Sequence, residues 1–218
     1  MRLDHWQAVR SDLAPGVQPD GESHAAPLGD RGTVLLPIRP LPDADGAGVA
    51  SLILNQAAFA VLGALADALA ARLVPHRPAL VVGLPTLGLP LAEAVARRLG
   101  HARIVPLGTS RKFWYDKRLS VPLRSVTTPD GGRRLYLDPR MRPLLEDAPV
   151  ALVDDVLSTG RSIGAALALL RMVGVAPVAV GAAMLQGEGW CAAVGRVPVA
   201  APLRTPRLPR GPEGWAPE

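Results

Sequence analysis

Hydrophobic positions along this chain follow two periods that alternate from its middle onward. Ala79-Leu80-Val81-Val82-Gly83 is a continuous apolar run, as a strand buried on both faces requires. Residues 91–99 have helical spacing and end at Gly100. Residues 103–107 return to a strand, and strand 150–154, helix 162–173 and strand 178–184 repeat the order. Upstream, Leu62, Leu65, Leu69 and Leu73 mark one face of a helix over 57–73, stopped by Pro75. Residues 33–39 read as a strand, which Pro37 assigns to a sheet edge, and 51–54 as another. Short strands alternating with short helices predict an α/β fold, a mostly parallel sheet with right-handed crossovers and helices on its faces.

The ends lack this periodicity. Residues 1–30 are polar and rich in Gly, Pro and Asp, and read as a loose N-terminal arm. Residues 31–190 carry the domain, and 191–218 read as an extended, Pro-rich C-terminal tail. Inside the domain, 109–140 is basic, aromatic and marked by Pro and Gly. Asp130-Gly131-Gly132 between 123–127 and 133–137 predicts a hairpin there. A chain of 218 residues that is 49% hydrophobic suits one such domain with a substantial core.

Composition narrows the picture further. No apolar run reaches the roughly 18 residues of a membrane span, and the first residues lack the apolar stretch of a secretory signal. A soluble, cytoplasmic protein with no membrane partner is expected. Cys191 is the only cysteine, which excludes disulfides and thiolate metal sites within the chain. The formal charge of +5 suits anionic ligands, from nucleic acid to polyphosphate.

Two phosphate or nucleophile motifs fail on their partners. Gly160-Arg161-Ser162-Ile163-Gly164 matches the G-x-S-x-G elbow of hydrolases, but all four histidines (His5, His24, His76, His101) lie upstream and no Asp follows Asp155. Gly83-Leu84-Pro85-Thr86-Leu87-Gly88 has the glycine spacing of a P-loop, but Leu89-Pro90 stand where Lys and Ser/Thr are needed.

The segment 150–162 survives this test. An apolar run ends in Asp154 and Asp155, breaks into Ser158-Thr159-Gly160, and a helix begins at once. Backbone N–H groups of Ser158, Thr159, Gly160, Arg161 and Ser162 at a helix N-terminus form a concavity for a phosphate dianion. Gly160 permits the turn, and the hydroxyls of Ser158, Thr159 and Ser162 add donors. The carboxylates, at the carboxyl end of the strand, accept bonds from sugar hydroxyls directly or through a metal. An ordinary N-cap is the simpler role for these hydroxyls and is compatible with phosphate binding.

Asp154-Asp155-x-x-Ser158-Thr159-Gly160-x-Ser162 after four apolar residues resembles the signature of type I phosphoribosyltransferases, which bind phosphoribosyl pyrophosphate (PRPP). The likeness runs from about residue 50 to 185 and is strongest at 150–164 and 79–100. It implies a three-layer phosphoribosyltransferase-like fold with a small hood or hairpin subregion at 109–140. It assigns Asp154 and Asp155 to the ribose hydroxyls, and indirectly to Mg²⁺ through Mg-PRPP, and 158–162 to the 5′-phosphate. The loop 83–88 falls where the family carries its pyrophosphate loop, so Leu84, Pro85 and Thr86 are expected there, with Pro85 lowering the cost of a cis bond. Arg111 and Lys112 fit the family's basic run toward pyrophosphate. Lys117 is a further candidate, although the family's spacing to its later lysine is not reproduced.

The acceptor is less defined. Phe113-Trp114-Tyr115 are consecutive in a chain with only two Phe, two Tyr and four Trp, and suit either base stacking by Trp114 or a dimer interface. Asn55 and Gln56 suit a base edge, or Asn55 a helix cap. Enzymes for 6-oxopurines usually carry a third acid where Ser158 stands, so the resemblance leans toward adenine-, orotate- or xanthine-like acceptors. It implies transfer of ribosyl phosphate to a nucleobase by a homodimer, without nucleic acid. The competing class is a non-catalytic PRPP or nucleotide sensor of the same fold.

Overall fold

Burial on alternate sides of the central strands builds two cores, and the functional segment lies where they meet. The computed structural model describes residues 2–41, 46–123, 133–211 and 214–216. An antiparallel sheet comes first: β1 (Val9–Arg10), β2 (Gly16–Val17), β3 (Ser23–Pro27), β4 (Thr33–Pro40) and β5 (Gly48–Ala50). Helix α1 (Phe59–Leu73) follows, then β6 (Leu80–Gly83), α2 (Gly88–Arg98) and β7 (Ile104–Pro106). A hairpin, β8 (Ser120–Pro122) and β9 (Arg134–Tyr136), precedes β10 (Val150–Leu157), α3 (Arg161–Met172) and β11 (Ala179–Gln186). Last come α4 (Cys191–Val194), β12 (Val199–Ala200), β13 (Leu203–Thr205) and β14 (Arg207–Leu208).

The central sheet has the order β12-β11-β10-β6-β7, with β13 also on β11, and all its pairings are parallel. Val81, Ala151, Val153 and Ala179 face the core that holds α1, α2 and the antiparallel sheet. Their neighbours Leu80, Val82, Val150, Leu152 and Val180 face the core under α3 and the β8–β9 hairpin. This is the three-layer α/β arrangement, with a period of two distributing each strand between layers.

The helices form where the spacing places them, and their ends are set by packing. Leu65, Leu69 and Leu73 are fully buried on α1, and Pro75 sits in a single 3₁₀ turn that closes it. By length and composition, Phe59–His76 is apolar enough to cross a membrane, contrary to the sequence reading; its buried leucines make it the core helix of this domain. Helix α2 starts three residues before Leu91 because Gly88 lets its first turn approach β10.

Several sequence expectations change. β4 is not an edge strand: β3 flanks one side, β1 and β5 the other. Pro37 stands where that second side passes from β1 to β5, so its missing N–H costs little, and its carbonyl still accepts the Ser51 N–H. The strand expected at 51–54 is shifted to β5, and Leu54–Gln56 form a 3₁₀ turn. The N-terminal arm is built into the domain. Trp6 is buried, its Nε1 donates to the Ser51 carbonyl at 2.8 Å, and its own carbonyl receives the Ala58 N–H. The tail is built in as well: β12 and β13 extend the parallel sheet, and β14 pairs with β5. Both ends escaped detection because their strands are two to five residues long, too short for a period, with Pro202, Pro206 and Pro209 falling between them. A hairpin does form, but its first arm, β8, lies upstream of the expected 123–127, β9 falls within the expected 133–137, and 124–132 lie outside the described residues.

If the N-terminal segment belongs to the core, Trp6→Ala lowers the unfolding free energy by about 3–5 kcal/mol. Urea titration reads this as a lower midpoint at unchanged slope. A change within about 0.5 kcal/mol would return the segment to a loose arm.

Candidate active site

The site begins with a carboxylate that has little water around it. β10 does not stop at the acid pair; it runs on to Leu157 with β11 alongside, which draws Asp154 into the sheet opposite Ala182. Asp154 is only 5% exposed, and its Oδ1 accepts the Asp155 N–H at 2.9 Å. From the other side comes Gly88, where a Cβ would lie 2.9 Å from both Asp154 Cα and Oδ1. Burial first, and the neighbouring Asp155 second, push the Asp154 carboxyl well above the ordinary carboxylate range. Burial also raises Asp155. A solvated strand end would show neither effect. The unliganded pair is therefore poor at holding two negative charges, and sugar hydroxyls or a cation at its oxygens would relieve that cost.

The turn after β10 supplies the opposite polarity. Gly160 adopts φ +77° as the N-cap of α3, and no side-chain cap bond to α3 exists among the described residues. Ser158, Thr159 and Ser162 thus do not act as ordinary caps, and the first N–H groups of α3 are left for a ligand. Asp154 and residues 156–163 line a cavity of about 190 Å³ here. Arg161 and Ser162 are exposed at its rim. The turn is braced from behind by α4: a Cβ on Gly160 would lie 2.8 Å from Ala193 Cβ and 2.9 Å from Trp190 Cα. Trp190 is itself fixed by its Nε1 bond to the Gly187 carbonyl at 2.9 Å.

The 83–88 loop lies beside the acids, since the Leu84 N–H donates to the Val153 carbonyl at 2.9 Å. Leu84 is buried in the core with its N–H committed, so it anchors the loop and offers a ligand neither group. Pro85 is half-buried and Thr86 exposed. The cis bond is Pro85–Thr86, one bond after the Leu84–Pro85 bond expected from sequence.

Arg111, Lys112 and Lys117 are all exposed on the segment after β7. Trp114 Nε1 donates to Asp138 Oδ2 at 3.3 Å, and the Arg140 guanidinium lies 5.3 Å from its ring centroid. Asp138, held well under cover and bonded first by Arg140, has its carboxyl lowered. Trp114 is thereby tied within the hood through its Nε1, while its ring stays 44% exposed. Asn55 and Gln56 sit exposed on the 3₁₀ turn beside α2; the N-cap of α1 is Ala58, so Asn55 caps no α-helix. The sequence reading missed Gly88, Asp138 and the Trp190–Ala193 brace. Only Gly88 had a local signal, as the last glycine of the 83–88 loop.

Metal binding by protein alone is not supported, because no cluster of three or more His, Cys, Asp or Glu is placed for it among the described residues. Two adjacent carboxylates suit a Mg²⁺ that arrives with polyphosphate, since Mg²⁺ commonly takes one or two carboxylates plus substrate oxygens.

Two outcomes follow from this geometry. Asp154 binds its proton more tightly folded than unfolded, so above the ordinary value of 3.8 its ionisation costs stability, increasingly as pH rises toward the raised value. Asp154→Asn removes that cost: the unliganded variant melts higher than the parent at neutral pH, and the gain shrinks as pH falls toward 3.8. Equal melting temperatures at neutral pH would refute the burial argument. Gly160→Ala places a side chain in left-handed backbone against α4 and lowers stability by at least about 1–2 kcal/mol in chemical denaturation.

Comparison with known proteins agrees with this architecture. The family described as phosphoribosyl transferase domain matches residues 51–193. The "Bifunctional protein PyrR" of Mycolicibacterium paratuberculosis is 36% identical over 107 residues, 46% of this chain and 50% of that protein. Its namesake from Mycobacterium tuberculosis is 35% identical over 122 residues, 53% of this chain and 56% of that one. The chain spans about half the length of these curated relatives. Adenine phosphoribosyltransferase from Thermoanaerobacter pseudethanolicus superposes with a TM-score of 0.60 at 20% identity, covering 77% of this chain and 95% of that one. The Giardia lamblia APRTase complexed with 9-deazaadenine gives 0.60 at 23%, covering 77% and 93%. These structures share its fold. With the family match covering α1 through β11 and most of α4, about two thirds of the chain, the chain belongs to the phosphoribosyltransferase domain family.

Proposed function

We propose that this protein transfers the 5-phosphoribosyl group of PRPP to a nucleobase and releases pyrophosphate. The observation that carries the reading is the buried Asp154 beside the half-buried Asp155, a few residues before an uncapped α3 N-terminus. Phosphate at 158–162 fixes one end of the ribose, and the two carboxylates take its hydroxyls. That leaves C1 near the 85–88 loop, whose free amides and Thr86 would receive the pyrophosphate. Arg111 and Lys112 would balance the charge that develops on it. Asp154 and Asp155 would hold, through the bound PRPP, a Mg²⁺ whose chemistry there would be further positive charge for the leaving group. The hood would exclude water from the oxocarbenium-like centre as it closes.

Ser158, standing where a third acid serves 6-oxopurine enzymes, favours an adenine-, orotate- or xanthine-like acceptor. A second reading, a PRPP- or nucleotide-sensing regulator, draws support from the curated relatives being named bifunctional. Pyrophosphate release from PRPP and Mg²⁺ with a panel of nucleobases separates the two. Turnover is expected on at least one base. Asp154→Asn with Asp155→Asn lowers kcat/KM by about 10²–10⁴-fold, two charge-assisted hydrogen bonds being lost. Binding of PRPP without turnover on any base favours the sensor, and undiminished turnover in the double variant sinks the assignment.

A further inference from the structure

Displacement at C1 requires the acceptor to approach from the side opposite the leaving pyrophosphate. Resting on the transferase reading, this rule selects a direction in the sheet. β10 carries the ribose carboxylates, and its two neighbours are β6 and β11. The pyrophosphate loop follows β6, so the acceptor side is that of β11. The expected base contacts do not lie there: Asn55 and Gln56 sit beside α2, and Trp114 follows β7.

At the carboxyl ends of β11 and β13 there is an open cavity of about 460 Å³, lined by Leu185, Gly187, Glu188, Arg204, Pro206 and Arg207 together with Thr205. That volume lies within the range of small-ligand sites. The cavity adjoins the phosphate turn, because Leu185 pairs with Leu157 and a Cβ on Gly189 would lie 3.0 Å from the Ser158 carbonyl oxygen. Its charged side chains are two guanidiniums and one carboxylate. Among the described residues, no side-chain hydrogen bond or ion pair occupies Arg204, Arg207 or Glu188, whose backbones are held by strand pairing and by the Cys191 N–H. The Arg207 stem passes close to Gly187: its Cγ lies 3.2 Å from where a Gly187 Cβ would stand. Thr205 is already bonded, its carbonyl by the Gly187 N–H and its hydroxyl to Met184 Sδ. An unpaired guanidinium pair in a concave site selects a planar anion, most directly a carboxylate taken in bidentate fashion.

We infer that this cavity is the acceptor subsite and that the acceptor is a carboxylate-bearing nitrogen heterocycle, held through its carboxylate by Arg204 and Arg207. The ring nitrogen forms its bond to C1 of the ribose. The C1–O bond to pyrophosphate breaks with its electron pair on pyrophosphate, and the proton of the ring nitrogen passes to the solvent to which the cavity opens.

The test is pyrophosphate release by the full chain with PRPP and Mg²⁺, comparing orotate and nicotinate with uracil and adenine. Orotate and uracil differ only in the carboxylate. Release with an acidic base is expected. Arg204→Gln and Arg207→Gln each raise the KM for that base by about ten- to a hundredfold and leave the KM for PRPP unchanged. Release with uracil or adenine but neither acid overturns the inference and leaves the transferase reading standing. Turnover of an acidic base that is indifferent to both arginine variants places its carboxylate elsewhere and also overturns it. No release with any base removes the transferase reading and this inference with it.

Discussion

The structure depends on keeping one carboxylate out of water. Asp154 is held against β11 opposite Ala182, one residue past the end of the β6 pairing, under the first turn of α2, and beside a second acid. A protein gains nothing in stability from such a group; desolvation disfavours its charge and the adjacent Asp155 adds to the penalty. Its surroundings suit a polyhydroxylated, anionic ligand that brings its own cation. The glycines next to the acids follow from this. Any side chain at position 88 would meet Asp154, and any at 160 would meet α4. Both backbones must close in for carboxylates and helix N–H groups to share one small cavity.

Holding such a site requires support from outside the matched family range, and the two chain ends provide it. The N-terminal segment places Trp6 against 51–58, immediately before α1, whose leucines fill the core beneath β11. The C-terminal segment lays β13 on β11 and then crosses to the antiparallel sheet as β14. Buried Gln186 adds a direct tie, its Nε2 donating to the Ala50 carbonyl at 2.8 Å. The two sheets are thus joined next to the carboxyl end of β11, where the cavity with Arg204 and Arg207 opens. The segments that look dispensable in composition are the ones that build this wall.

The central sheet was legible because its strands are apolar on both faces and its helices carry uninterrupted leucine spacing. The phosphate turn was legible because its chemistry is contiguous: acids, hydroxyls, glycine and helix start fall within nine residues. What escaped detection is assembled from distance. Asp138 meets Trp114 across the hood. Trp190 and Ala193 support Gly160 from thirty positions away. Strands of two or three residues between prolines have no period to detect, so register with a distant partner decides them. The extension of β10 past its acids belongs here too: β11 continues beside it, and pairing across the sheet overrides the polarity that marked an end.

The placement of positive charge follows the same logic of sides. A transferase that separates a polyanionic leaving group from its acceptor must hold the two on opposite flanks of the ribose. In this sheet the flanks are the ends of β6 and β11. The basic residues divide in the way that reading requires: Arg111 and Lys112 follow β7, on the flank proposed for pyrophosphate, while Arg204 and Arg207 line the cavity on the other. The formal excess of +5 therefore need not imply a nucleic-acid surface. On the proposed reading, two anions on either side of Asp154 and Asp155 would require cations on both, and the strand order of the fold would determine which cations serve which anion.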